Sequence, residues 1–294
     1  MPQVMIVTDS SAYLPSELVA SHPIRVIPLT LNWDGQTFRD GVDIGAAEFY
    51  TRLSQSRTIP TTSQISAGEI SNTLHELLAI GYDVLFLPIS SGISSTFQTA
   101  SGVISNFPKG HVTVLDTKLV SMALGFQVLA AARAAAAGAS LSECTQVAQK
   151  SYGQIGVYFS VDTLKYLAAG GRINSAKRLL GTALNIKPVL TICDGKIELV
   201  GSVRTRRKAI ESMLNLVEGG IDGRAPVRVS VFHALARETA EQVLETARLR
   251  FSPVECILSE ISPVVGTHVG PGTIAIAYQA GGKRMMVHSG KLLS

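Results

Sequence analysis

From Val84 through Leu85, Phe86, Leu87 and Pro88 to Ile89 there is not one polar side chain. A strand with one face in water alternates apolar and polar residues. An unbroken apolar run belongs to a strand buried on both faces, which is the habit of a parallel sheet covered by helices. The neighbouring sequence keeps the same rhythm. Residues 4–8 and 24–31 read as strands before the run, and 112–115 as one after it. Helix signals lie between them: Pro15 for a first turn after Asp9-Ser10-Ser11, and Ser66-Ala67-Gly68-Glu69 in the capping-box pattern. Ile70, Leu74, Leu77 and Leu78 then recur at helical spacing, and Ser140-Leu141-Ser142-Glu143 opens a further helix. Strand–helix alternation of this kind predicts an open, mostly parallel α/β sheet with helices on both faces.

The second half has another pattern. A strand is expected near 155–159, and two more at 189–193 and 196–203 flank Asp194-Gly195, a strong hairpin signal. Residues 227–231, a helix with Ala240, Val243, Leu244, Ala247 and Phe251 on one face, and residues 254–258 form a β-α-β unit. The expectation is an N-terminal α/β domain over 1–155 and a smaller C-terminal α+β domain over 156–294. With 294 residues, 46% of them apolar and 16% charged, the chain can fill a sizeable core.

The stretch 120–139 alone is apolar enough to raise a membrane reading. It is mostly alanine, and Ser121, Gln127 and Arg133 interrupt it, so it reads as a buried helix covering a sheet; no transmembrane segment is expected. The opening residues lack a basic region, and Asp9 stops their apolar run, which argues against a signal peptide. Cys144, Cys193 and Cys256 are odd in number and unclustered. They are expected as buried thiols in a reducing cytoplasm, with neither disulfide nor zinc.

Charge is unevenly placed. Residues 172–208 hold nine basic side chains against two acids, Asp194 and Glu198, within a net charge of +4. Nucleic acid is a poor match, because no aromatic residue lies between Ile173 and Val231. Gly270-Pro271-Gly272-Thr273-Ile274-Ala275 matches a dinucleotide fingerprint by letter, yet too little chain follows for the rest of that unit. Gly281-Gly282-Lys283-Arg284 lacks the spacing and hydroxyl of a P-loop. No G-x-S-x-G surrounds Ser94, and the histidines show no metal-ligand spacing.

Two hydroxyl clusters remain, Thr61-Thr62-Ser63-Gln64 and Ser90-Ser91-Gly92-Ile93-Ser94-Ser95-Thr96. Each precedes a helix, and both are expected at one edge of the sheet. Ligands of open α/β sheets bind outside the carboxyl ends of the strands, where helix N-termini favour an anion. Hydroxyls add donors without charge and suit a carboxylate that must also be released. Taken singly, each cluster reads equally well as caps and turns.

The order of these motifs resembles the DegV family of bacterial fatty-acid-binding proteins over nearly the whole chain. The matching signatures are Thr8-Asp9-Ser10-Ser11-Ala12, Pro60-Thr61-Thr62-Ser63-Gln64, Ile89-Ser90-Ser91-Gly92-Ile93-Ser94 and Gly170-Gly171-Arg172-Ile173. Ile186-Lys187-Pro188, Arg204-Thr205-Arg206 with Lys208-Ala209, and His268-Val269-Gly270-Pro271-Gly272 follow. The resemblance implies two α/β domains with one long-chain fatty acid, such as palmitate, stearate or oleate, in a tunnel between them. It implies a carrier without catalysis of its own and without a cofactor, which presents the lipid to a separate fatty acid kinase whose acyl-phosphate product feeds phospholipid synthesis. Carried over by motif, Thr62 and Ser94 bind the carboxylate with Thr61 nearby, Arg172 and His268 support it, and Arg204 and Lys187 stand where phosphate chemistry occurs. Ser95 and Ile65 depart from the family's usual Gly and Pro; Ser95 is expected to alter the pocket floor. Asp9 reads as structural, orienting a loop or capping a helix. The rival readings are a serine hydrolase or acyltransferase with Ser94 as nucleophile and His268 as base, and a basic nucleic-acid or regulatory module.

Overall fold

The structure is a computed structural model and describes residues 2–180 and 186–282. Lys283 and Arg284 of the rejected P-loop lie outside them. Four parallel strands form the first sheet, in the order Ile24–Ile27, Gln3–Asp9, Tyr82–Leu87, Val112–Val114. The apolar run lies beside its centre: Val84, Leu85, Phe86 and Leu87 are all fully buried.

The single strand expected over 24–31 is two. Ile24–Ile27 stays in the parallel sheet, whereas Thr30–Trp33 is the middle of a separate antiparallel sheet, between Gln36–Arg39 and Thr61–Ser63. Pro28 has no N–H to give a ladder. The Leu29 N–H donates instead to Ser10 Oγ (3.0 Å), and its carbonyl accepts from the Asp40 N–H (2.9 Å).

The second half carries the wider sheet, six strands in the order Lys196–Val203, Lys187–Cys193, Ile155–Ser160, Ile274–Ala280, Val227–His233, Glu255–Glu260. Only its last pair is parallel. Asp194 and Gly195 close the hairpin with φ of 46° and 79°, the positive pair that a two-residue hairpin turn demands. One face of this sheet is covered by Arg206–Ile221 and Arg237–Phe251. The other face turns toward the first sheet.

Between the sheets lies the alanine-rich helix Ser121–Ala136, in contact with Gln3–Asp9 on one side and with Ile155–Ser160 and Ile274–Ala280 on the other. A helix packed on several sides has to be apolar all round. Two of the polar interruptions that argue against a membrane span make buried or half-buried contacts. Gln127 Nε2 donates to the Ala148 carbonyl (3.0 Å), and Arg133 donates to both carboxylate oxygens of Glu255 (2.8 and 2.9 Å). Among the described residues no helix is long and apolar enough to cross a membrane. The expectation of buried thiols holds for Cys144 only: Cys193 ends a strand at the exposed hairpin tip, and Cys256 is half-buried.

Candidate functional site: an apolar cavity with a polar end

A cavity of about 360 Å³ opens between the two main sheets, within the usual range of small-molecule sites. On the wide sheet, Phe159 and Phe232 stand on either side of Ala275, paired with it in register. The small residue between two rings leaves a trough lined also by Val157 and Ile192. Leu29, Ile89, Val120, Ile261 and Val264 supply further apolar wall. Nothing in such a wall selects for more than hydrocarbon.

Polar groups converge from four separate elements. Thr62 comes from the small antiparallel sheet, and Ser94 from the loop after the buried strand. His268 lies on the helix Pro263–Val269, whose first turn is capped by Ser262 Oγ accepting the Val265 N–H (3.2 Å). Arg172 follows the helix Lys165–Ala169, where Gly171 at φ 70° turns the chain and the Arg172 N–H returns to the Leu167 carbonyl. Gly170 is required there for another reason: a Cβ at that position would run into His268 Nδ1.

His268 Nε2 and Thr62 Oγ1 are 2.9 Å apart. Burial, and then the positive Arg172, push the imidazole pKa down to about 4, so it is neutral at physiological pH. Nδ1 is buried without a partner among the described residues. A bare nitrogen lone pair is less costly there than an orphaned N–H, so the proton belongs on Nε2, donated to Thr62. The Thr62 hydroxyl proton is then left for a ligand.

The Arg172 guanidinium donates to the carbonyls of Ile93 (3.2 Å) and Gly170 (2.6 Å). It has no carboxylate partner among the described residues. A half-buried cation on an apolar cavity with its counter-charge missing calls for an anion.

The other hydroxyls are largely structural. Ser90 Oγ donates to the Gly195 carbonyl (2.7 Å) and pins the hairpin tip, and Ser91 Oγ donates to Asp116 (2.5 Å). Ser94 Oγ pairs with Thr96 Oγ1 (3.0 Å) while still lining the cavity. The two clusters do not share one sheet edge, since Thr62 arrives on a separate sheet. Thr61 is exposed and lines a different depression with Trp33 and Asp34, because successive strand residues face opposite ways. Ser95 is exposed at the cavity rim, not on its floor.

Lys187 and Arg204 also part company. Lys187 Nζ is held by Asp162 Oδ1 (2.7 Å), and Arg206 approaches the other carboxylate oxygen, Oδ2, at 3.7 Å. Arg206 in turn donates to the Gly272 carbonyl (2.6 Å), and a Cβ on Gly272 would strike Asp162. These contacts brace the turn Gly270-Pro271-Gly272, which leads from helix to strand, the reverse of a dinucleotide fold. Arg204 is exposed and unpaired among the described residues, at the hairpin end where Val203 faces Lys187. Neither Arg204 nor Lys187 lines the cavity.

A model of the DegV family, described as a family of uncharacterised proteins, matches residues 3–281. The chain belongs to the DegV family. A DegV domain-containing protein of Streptomyces coelicolor is 36% identical over 275 residues, covering 93% of this chain and 97% of the relative. Two solved structures superpose with a TM-score of 0.87 each. One, described for its fatty acid binding, is a DegV family protein from Thermus thermophilus, 33% identical over 95% of this chain and 99% of its own. The other is DegV, a fatty acid binding protein from Bacillus subtilis, 32% identical over 96% and 100%.

Two buried carboxylates of this DegV chain support the site from behind. Asp9 caps the short turn Ser10–Ala12 through the Ser11 N–H (3.0 Å) and accepts the Ile89 N–H (2.6 Å), fixing the entrance to the Ser90–Ser95 loop. Asp40, which the motifs did not mark, accepts from Ser10 Oγ (2.7 Å) and from the Val264 N–H on the His268 helix (3.4 Å). Burial pushes Asp9 up to about 6 and Asp40 up to about 7. An unfolded aspartate titrates near 3.9, so the native protein holds protons that the unfolded chain has lost. That contribution is complete below pH 4 and is lost progressively as pH rises from about 4 to 6 for Asp9 and to 7 for Asp40. His268 works oppositely, weakening the fold as pH falls from about 6.5 to 4. Asp40→Asn, which cannot ionise but gives up one of the two acceptor oxygens, should therefore gain on the parent by on the order of 3 kcal/mol on going from pH 5 to pH 8, on top of a constant cost for the lost acceptor. Thermal melts of parent and variant at both pH values check this; a Tm difference that is the same at pH 5 and pH 8 would refute it.

Proposed function

We propose that this protein binds one long-chain fatty acid and is a carrier, not a catalyst. The acyl chain lies in the cavity between residues 1–155 and 156–294, and the carboxylate takes hydrogen bonds from Thr62, Ser94 and Arg172, with His268 orienting Thr62. The observation that carries this reading is the Arg172 guanidinium, without a counter-charge among the described residues, at the polar end of a mostly apolar cavity: hydrocarbon bearing one negative charge satisfies both parts. Fatty acid binding by the two solved relatives supports it. We further propose that the lipid is presented to a separate kinase, which phosphorylates the carboxylate, with Arg204 at the contact.

The hydrolase reading lacks its relay. Ser94 Oγ pairs with Thr96 and His268 with Thr62, and no carboxylate orients the imidazole among the described residues. The basic-module reading loses three of its nine charges, since Arg172 faces the cavity and Asp162 engages Lys187 and Arg206, and no aromatic residue stands among the remaining six for bases to stack on. Each buried CH₂ contributes about 0.8 kcal/mol before association costs, so much of the lipid should survive purification. Denaturing freshly purified protein and weighing the released lipid by mass spectrometry should yield about one fatty acid per chain. Protein that emerges empty and takes up none of palmitate, stearate or oleate would end the carrier reading.

A further inference from the structure

The cavity has a second polar place that the carboxylate site leaves unused. Val120 and Ser121 line it where the sixteen-residue helix Ser121–Ala136 begins. Val120 supplies no side-chain cap, and the N–H groups of Ser121, Met122 and Ala123 meet no acceptor among the described residues. Ser121 is only 5% exposed, yet its hydroxyl also has no hydrogen-bond partner among them. Nor does Ser121 bond to Thr62, Ser94, Arg172 or His268, whose own partners are given above.

Buried N–H and O–H groups are nearly always paired, because an orphaned one loses its water and gains nothing. Ser66, Ser140, Thr205 and Ser262 cap their helices, whereas Ala46–Gln55 and Arg237–Phe251 have no side-chain cap, but neither of these starts at the cavity. Thr96–Val103 also starts at the cavity, but its first N–H donates to Ser94 Oγ (3.3 Å), which leaves the long central helix to open bare there, with a hydroxyl at its first residue that has no partner among the described residues. Every group there can donate, and the helix dipole adds positive potential. The partner is therefore an acceptor. A saturated acyl chain has none, and its carboxylate is engaged by Arg172.

We infer that the cavity is built for an acyl chain carrying an oxygen along its length, a hydroxy or oxo fatty acid, whose oxygen is received by Ser121 Oγ and the open end of this helix. The inference rests on the fatty-acid reading above and adds the chemical class of chain. A hydroxyl or keto oxygen at the matching carbon completes the helix start, whereas stearate leaves it bare.

The test is a binding series with stearate and monohydroxy- and oxostearates substituted at successive carbons, on the intact protein. One position, or two adjacent ones, should bind roughly tenfold tighter than stearate, as one added hydrogen bond to buried donors implies. Ser121→Ala should remove most of that preference and leave stearate affinity unchanged. Ser121→Gly guards against misfolding, since Ser121 sits at φ 52°, which glycine adopts without strain; it should behave as the alanine variant does. A flat series, or a preference that persists in both variants, overturns the inference. Loss of stearate binding in the variants would put the carboxylate itself at the helix start and overturn it too, while sparing the fatty-acid reading. Failure of the unaltered protein to bind any of these acids removes the fatty-acid reading and this inference with it.

Discussion

Arg172→Met should strip the protein of its fatty acid while leaving it folded. The carboxylate would enter a cavity from which the only positive charge among the described lining residues had been removed. Truncating one partner of a poorly solvated charge pair costs about 3–5 kcal/mol, so affinity should fall by roughly a hundredfold to several thousandfold. Ser94→Ala and Thr62→Ala each remove one donor to a charged acceptor, worth about 1.5–3 kcal/mol, and should lose roughly tenfold to a hundredfold. The order of the three variants matters more than any one value. Arg172 also holds the Ile93 and Gly170 carbonyls, so circular dichroism and Tm must accompany the titration. Methionine keeps the length and apolar stem of the side chain and so limits repacking. Unchanged fatty acid affinity in a folded Arg172→Met protein would remove the central support of the proposed function.

The parts of this site differ sharply in how visible they are in the sequence. The buried strand, the Asp194-Gly195 hairpin and the Ser140 capping box are local, and each was legible because a few adjacent residues carry the whole signal. Ile24 to Leu31 misled because all but one residue favours a strand; Pro28 ends the ladder, and the two pieces find different partners. Thr62 and Ser94, expected to bind a carboxylate, both line the cavity, but Thr61 was grouped with Thr62 by adjacency, which in a strand means opposite faces. The Thr62–His268 pair joins residues 206 apart, and no spacing rule reaches that far. Asp162 and Asp40 were missed for a related reason. Neither sits in a recognisable pattern, and each acquires its role only when a distant loop closes on it. Ser121 was noticed merely as a polar interruption of an apolar stretch. Its place at the cavity follows from the helix being shared by two sheets, a property of the tertiary fold alone.

Arg204→Ala should give the opposite phenotype to Arg172→Met: full lipid occupancy and almost no phosphorylation. Arg204 does not line the cavity, is exposed, and has no ion-pair partner among the described residues. Its neighbours are spoken for, Lys187 and Arg206 by Asp162 and Gly272. Among the described residues that leaves Arg204, with Arg207 and Lys208 at the start of the following helix, as exposed cations without an ion-pair partner, able to meet a kinase-bound phosphate or an acidic kinase surface. A guanidinium grips two phosphate oxygens at once, which an ammonium cannot do, so Arg204→Lys should restore little. Arginines that stabilise charge in phosphoryl transfer contribute factors of about 10³–10⁵, and a contact shared with docking should still lower acyl-phosphate formation by roughly a hundredfold or more. Lys187→Ala should instead unsettle the Gly270–Gly272 turn through Asp162 and lower Tm, a structural loss distinguishable from that of Arg204. The decisive measurement pairs lipid content by mass spectrometry with ATP-dependent acyl-phosphate production by a cognate kinase, on one preparation. Normal turnover by Arg204→Ala would defeat the assignment, and loss of lipid would move Arg204 into the carboxylate site.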